Sequence, residues 1–111
     1  MSRYKNTVAL ITGAGQGIGR AIAQKLAKDG ALVTVLDIDE GNGRKTVEML
    51  KQNGHQSHFV RADITNFSEV EEAFAKTAEK LGPIELLINN AAFSIAGNLE
   101  NISLGAWHRE I

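Results

Sequence analysis

The chain contains no cysteine, which excludes disulfides, thiolate catalysis and cysteine-ligated zinc and fits a reducing compartment. Proline occurs once, at Pro83, and there is no internal linker, low-complexity tract or short repeat. Neither charge dominates: 12 basic and 13 acidic residues are mixed along the chain for a net charge of −1. Without a basic stripe, nucleic acid and anionic membranes are not expected partners. No apolar run is long enough to span a bilayer. The opening MSRYKNT lacks the apolar stretch and cleavage site of a secretory signal. These absences point to a soluble cytoplasmic protein.

What is present is the composition of an ordinary folded chain, with 43% hydrophobic and 23% charged residues over 111 positions, one domain or part of one. Apolar runs alternate with helical patterns. Thr7 to Ile11 (TVALI) reads as a strand buried on both faces, ending in a glycine-rich turn. Ile18, Ile22 and Leu26 then recur every fourth residue beside Ala21, Ala23 and Ala27, predicting a helix with a small-residue face, closed by Asp29-Gly30. Ala31 to Leu36 is a second strand ending at Asp37, and Asp39 can cap a helix to about Gln52, stopped by Asn53-Gly54. Gln56 to Ala62 is a weaker third strand. Asn66 to Glu69 has the spacing of a capping box, and Val70, Phe74, Thr77, Ala78 and Leu81 continue that helix to Gly82-Pro83. Ile84 to Ile88 is the fourth strand. Residues 91–102 read as a loop, and Ser103 can cap a helix containing Leu104, Trp107 and Ile111. Such alternation predicts an α/β fold: a doubly wound, Rossmann-type parallel sheet, incomplete at four strands and three to four helices.

The turn from Thr12 to Gly19 is TGAGQGIG. Gly13 permits a tight turn, Gly17 lets backbone approach a pyrophosphate, and Gly19 allows close packing of helix on sheet. Free amides and the positive dipole at the helix start favour phosphate. A glycine cluster alone is a weak signal; here it lies between strand and helix, with an acid ending the next strand. That acid, Asp37, stands where a carboxylate can accept from both hydroxyls of an adenosine ribose and repel a 2′-phosphate. Gln16 and Ile38 occupy the positions where NADP readers usually place a cation, so NAD is expected over NADP. The plainer alternative is that Asp37 only caps the following turn.

TGAGQGIG resembles the TGxxxGxG signature of short-chain dehydrogenases/reductases, and further matches follow in order. Asp63-Ile64 resembles the family's aspartate after the third strand, whose side chain and neighbouring amide contact adenine. Asn89-Asn90-Ala91-Ala92 resembles the NNAG motif, which lines the ribose side of the cofactor, with Ala92 in place of the usual glycine. Trp107 resembles the tryptophan in the helix leading to the catalytic region. The resemblance spans nearly the whole chain and includes 3-oxoacyl-reductase-like members. It implies Gly13, Gln16, Gly17, Ile18, Gly19, Asp37, Ile38, Asp63, Ile64, Asn90, Ala91 and Ala92 as cofactor-binding residues. It also implies strand order 3-2-1-4-5, a small alcohol or ketone substrate and, for the full-length enzyme, a homo-oligomer.

The resemblance further implies a catalytic asparagine, serine and YxxxK pair beyond Ile111. The tyrosine would donate its proton to the oxygen as hydride reaches the carbonyl carbon, and the lysine would lower the tyrosine pKa. Residues 1–111 are therefore expected to be the N-terminal portion, the catalytic portion being absent, with no catalytic residue of its own and no turnover alone. Tyr4 has Val8 rather than lysine four residues on, and Ser94 follows the fourth strand rather than the fifth; both read as structural. His55 and His58 lack a third ligand, so no metal site is expected. His108 reads as solvated, Trp107 and Phe74 as packing residues, and Glu72–Lys76 as an attractive helix pair. The fourth strand, apolar and with one edge unpaired in such a fragment, invites association. Two other classes remain: a catalytically silent nucleotide-binding or interaction module, and an S-adenosylmethionine methyltransferase, whose glycine loop is usually GxGxG.

Overall fold

A computed structural model describes residues 3–90 of the chain. The expected loop at 91–102, the helix after Ser103, and Ala91, Ala92, Ser94, Trp107 and His108 lie outside the described residues. Four strands, β1 (Val8–Thr12), β2 (Leu32–Asp37), β3 (Ser57–Arg61) and β4 (Leu86–Asn89), alternate with three helices, α1 (Gly17–Lys28), α2 (Glu40–Gln52) and α3 (Phe67–Lys80). All strand pairs are parallel, in the order β3-β2-β1-β4. The elements match the expected alternation, with strand bounds shifted by one or two residues.

Side-chain alternation along β1 divides the core. Ala9 and Ile11 face Ala23, Leu26 and Ala27 of α1 and Val47 and Leu50 of α2. Leu10 joins Leu36, Val60 and Leu87 against Val70 and Ala73 of α3. Because β1 is covered on both faces, all five of its residues are buried; that is why it reads as a continuous apolar run rather than an alternating one. Helices α1 and α2 cover one face and α3 the other, so the sheet is doubly wound. The glycine loop leaves β1 toward α1 at the C-terminal end of the strand, the end where open sheets of this kind bind ligands.

Two helix faces differ from the sequence pattern. Ile18 is 65% exposed and Ala21 is also exposed; α1 meets the sheet through Gly19, Ala23, Leu26 and Ala27. Small side chains bring the helix axis close to the sheet, and the bulky first-turn residue is left exposed. On α3 the buried residues are Val70, Ala73 and Thr77, whereas Ala78 is exposed. The cap of α3 is also more elaborate than a simple box. Asn66 Oδ1 accepts from the Glu69 amide at 3.2 Å, but Glu69 reaches back to the Asp63 amide (2.9 Å) and the Asn66 side-chain amide (3.2 Å). The backbone amide of Asn66 instead donates to Asp63 O.

A buried polar chain joins β3, β2 and α3. Thr34 Oγ1 lies 2.6 Å from His58 Nε2 and 2.9 Å from Thr77 Oγ1, and Thr77 donates to Ala73 O at 2.9 Å. With the Thr77 proton on Ala73, the Thr34 hydroxyl donates to Thr77 and His58 Nε2–H donates to Thr34. This order satisfies each proton once. Burial, then the Lys80 and Lys51 charges, lowers the His58 pKa from 6.5 to about 4. Tyr4 packs against the α1–α2 side of the core, and its amide donates to Asp29 O. Lys76 and Glu72 form an exposed ion pair at 3.7 Å.

Candidate functional site: the glycine loop after the first strand

The glycine loop leaves the C-terminal end of β1. Gly13 turns the chain with φ 65°, and its amide donates to Leu36 O at 2.8 Å. Gly17 begins α1 with φ 57°, a left-handed conformation that side chains disfavour, and a Cβ there would meet nothing within 4 Å. Gly19 is different: its Cβ would stand 2.1 Å from Gly13 O and 2.8 Å from Asn90 Nδ2. Only glycine lets α1 approach this loop. Asn90 Nδ2 donates to Gly13 O at 3.2 Å, so the residue after β4 braces the turn after β1. Thr12 Oγ1 lies 3.1 Å from Asn89 Oδ1, a second tie between these strands.

The start of α1 is open to an anion. Gln16, its N-cap, is extended (φ −162°, ψ 174°) and makes no side-chain cap, and the first turn contains no acidic residue. Its leading amides thus combine the helix dipole with unsatisfied donors. At the end of β2, Asp37 Oδ2 accepts from the Gly15 amide at 2.8 Å and Oδ1 from the Asp39 amide at 2.9 Å. Asp37 does hold the following turn, as the plainer reading had it, but each carboxylate oxygen keeps a second lone pair for a ligand hydroxyl. Ile38, 54% exposed, stands beside it.

Asp63 follows β3. Its Oδ1 accepts from the Thr65 hydroxyl at 2.7 Å and the Thr65 amide at 2.9 Å, and these bonds hold its carboxyl below the usual range. Asp63 thus shapes its own loop, with Ile64 partly buried against the α3 side of the core. The register aligns Thr12 with Leu36 and Asn89, and Asp37 with Arg61. The described members of the expected set therefore gather along one end of the sheet. Among the described residues, no group of three His, Asp or Glu side chains is placed to hold a metal ion.

Four residues here escaped the sequence pattern. Gly15 is buried, and a Cβ on it would lie 2.7 Å from Asp37 Oδ2. Arg20, one residue past the last loop glycine, donates to Gly15 O, to Thr46 Oγ1 (2.8 Å) and to Asn42 O (3.3 Å). Thr46 donates to Ala14 O at 2.9 Å. The Asn42 side-chain amide reaches Asp39 Oδ2 (3.0 Å) and Gln16 Oε1 (3.3 Å). The repeated glycines could have flagged Gly15. Arg20, Asn42 and Thr46 carry no such mark, because their roles depend on α2 packing beside α1.

Residues 7–111 match the family model described as short chain dehydrogenase. The chain belongs to the short-chain dehydrogenase/reductase family. An uncharacterized oxidoreductase of Thermotoga maritima is 39% identical over 94% of this chain and 41% of its own length. A hydroxysteroid dehydrogenase from Escherichia coli superposes with a TM-score of 0.76 at 38% identity, over 78% of this chain and 37% of that one. An actinorhodin polyketide ketoreductase solved with NADPH gives 0.75 at 36% identity, over 81% and 34%. This chain thus spans about two fifths of the length of the curated relatives it matches. Among the described residues, no helix is long and apolar enough to cross a membrane.

Proposed function

We propose that this chain supplies the cofactor-binding part of an NAD-dependent short-chain dehydrogenase/reductase that interconverts an alcohol and a ketone. The supporting observation is the pairing of an uncapped α1 start with the Asp37 carboxylate across the glycine loop. The first suits a pyrophosphate and the second a ribose diol. Open space in front of Gly17 fits the same group. Gly13, Gln16, Gly17, Ile18 and Gly19 would line the pyrophosphate, and Asp37 the adenosine ribose. Ile38, Asp63 and Ile64 would border adenine, and Asn90, Ala91 and Ala92 the far ribose. When bound, the dinucleotide supplies or accepts the hydride; this part of the chain binds and orients it.

Although one structural relative was solved with NADPH, the surroundings of Asp37 favour NAD. Asp37 and Asp39 place two carboxylates beside Gln16, and the guanidinium of Arg20 is engaged by three acceptors of the loop and α2. A 2′-phosphate would meet negative charge there. The reading carries with it a cytoplasmic homo-oligomer with a small-molecule substrate, and neither nucleic acid nor membrane as partner. Titrating the intact protein with NADH and NADPH by nicotinamide fluorescence tests it. Tighter NADH binding that weakens but remains measurable in Asp37→Ala is expected, and equal or tighter NADPH binding would refute the NAD assignment. NADH binding with no turnover of any alcohol or ketone would favour the silent-module alternative.

A further inference from the structure

Arg20 of α1 and Thr46 of α2 both bond to carbonyls of the glycine loop and so connect three elements. Arg20 sends its charge-assisted donors to Gly15 O, Asn42 O and Thr46 Oγ1. Thr46, fully buried on α2, accepts from Arg20 and passes its own proton to Ala14 O. Peptide planarity converts these carbonyl bonds into constraints on the opposite amides. With Ala14 O held by Thr46, the amide in the same plane, Gly15 N–H, points the other way, where it meets Asp37 Oδ2 at 2.8 Å. With Gly15 O held by Arg20, the Gln16 amide is directed away from the guanidinium, toward the start of α1.

We propose that Arg20 and Thr46 are positioning residues for the nucleotide: they act through the Ala14-Gly15 and Gly15-Gln16 peptides to hold the Asp37 carboxylate in its ribose-accepting orientation. This rests on the reading of Asp37 as the ribose acceptor. Loss of the relay frees the Ala14-Gly15 peptide to rotate, releases one of the two amides that fix Asp37, and costs affinity without removing any ligand-touching group. The rigid fork of arginine reaches three acceptors at once; a lysine ammonium in its place cannot span them in one plane.

The test is a double-mutant cycle on NADH affinity in the intact protein. Thr46→Val keeps volume and removes the hydroxyl; Arg20→Lys keeps charge and removes the fork, so the inference does not depend on one variant folding. Each is expected to weaken NADH binding about tenfold. In the Asp37→Ala background each should weaken it less than twofold, because the carboxylate they orient is gone. Equal losses in both backgrounds would show a general structural effect and overturn the inference, as would single variants that bind like wild type. If Asp37→Ala itself leaves NADH affinity unchanged, the ribose-acceptor reading fails, and the inference fails with it. The first two results leave that reading standing.

Discussion

Two glycines in the first turn of α2 should respond oppositely to the same substitution. Alanine is favoured over glycine in a helix by about 1 kcal/mol, so propensity alone predicts that Gly41→Ala and Gly43→Ala both stabilise. At Gly41 the nearest atom to a new Cβ is Asp39 Oδ1 at 3.5 Å, an ordinary contact. At Gly43 the Cβ would lie 2.0 Å from Cε1 of Phe59 and 2.4 Å from Cδ1. Carbon atoms rest at roughly 3.5–4.0 Å, so the ring must move by more than about 1.5 Å. It is confined on one side by the core and on another by Arg44, whose guanidinium lies 5.4 Å from the ring centroid. Overpacking of this kind costs about 1–3 kcal/mol, which outweighs the propensity gain. Gly43→Ala should therefore destabilise by up to about 2 kcal/mol while Gly41→Ala stabilises by up to about 1 kcal/mol. Urea unfolding at equal m-values measures both. Phe59→Leu should recover part of the loss in the Gly43→Ala background. Gly43→Ala at or above wild-type stability would refute the packing account.

Three further outcomes follow from particular contacts. Gly19→Ala should lose about 2 kcal/mol or more, since its Cβ meets the backbone oxygen of Gly13 and displaces Asn90; an unchanged unfolding midpoint would mean that α1 can back away freely. Ser57 Oγ is buried with no hydrogen-bond partner among the described residues, so Ser57→Ala should be neutral or stabilising by about 1 kcal/mol, and a clear loss in urea unfolding would disprove this. The His58 pKa is depressed on folding, so the unfolded chain binds the proton first as pH falls. Its stabilising contribution is complete above about 6.5 and lost toward about 4. His58→Asn should flatten the dependence of unfolding free energy on pH between 7 and 5, and an unaltered slope would contradict the assignment.

Most of the fold could be read from local signals, because each element carried its own. Asp39 and Asn66 cap α2 and α3 as their spacing implies, and Gly30, Gly54 and Gly82 follow helix ends at positive φ. The spacing identified α1 and its small-residue face, but Ile18, which fits the apolar repeat, points outward. A hydrophobicity pattern weights large side chains. The contact surface of α1 is instead chosen by small ones, since Gly19, Ala23 and Ala27 allow the close approach that the loop requires.

The candidate site divides in the same way. Gly13, Gly17, Gly19 and Asp37 were legible because each serves a backbone conformation, a close approach or a terminal carboxylate that few residue types satisfy. The support behind them was not. Arg20 looks like any charged residue near a helix start, and Thr46 like a weak helix former; only parallel pairing of β1 with β2, which sets α1 beside α2, turns them toward two successive carbonyls of the glycine loop, Gly15 O and Ala14 O. Gly15 lies between the two classes. Its glycine is visible in the sequence, but its reason is the Asp37 oxygen that sits 22 residues away. Asp37 and the loop are therefore one structure: the carboxylate orders the turn through Gly15 N–H, and the turn, held by Arg20 and Thr46, orders the carboxylate.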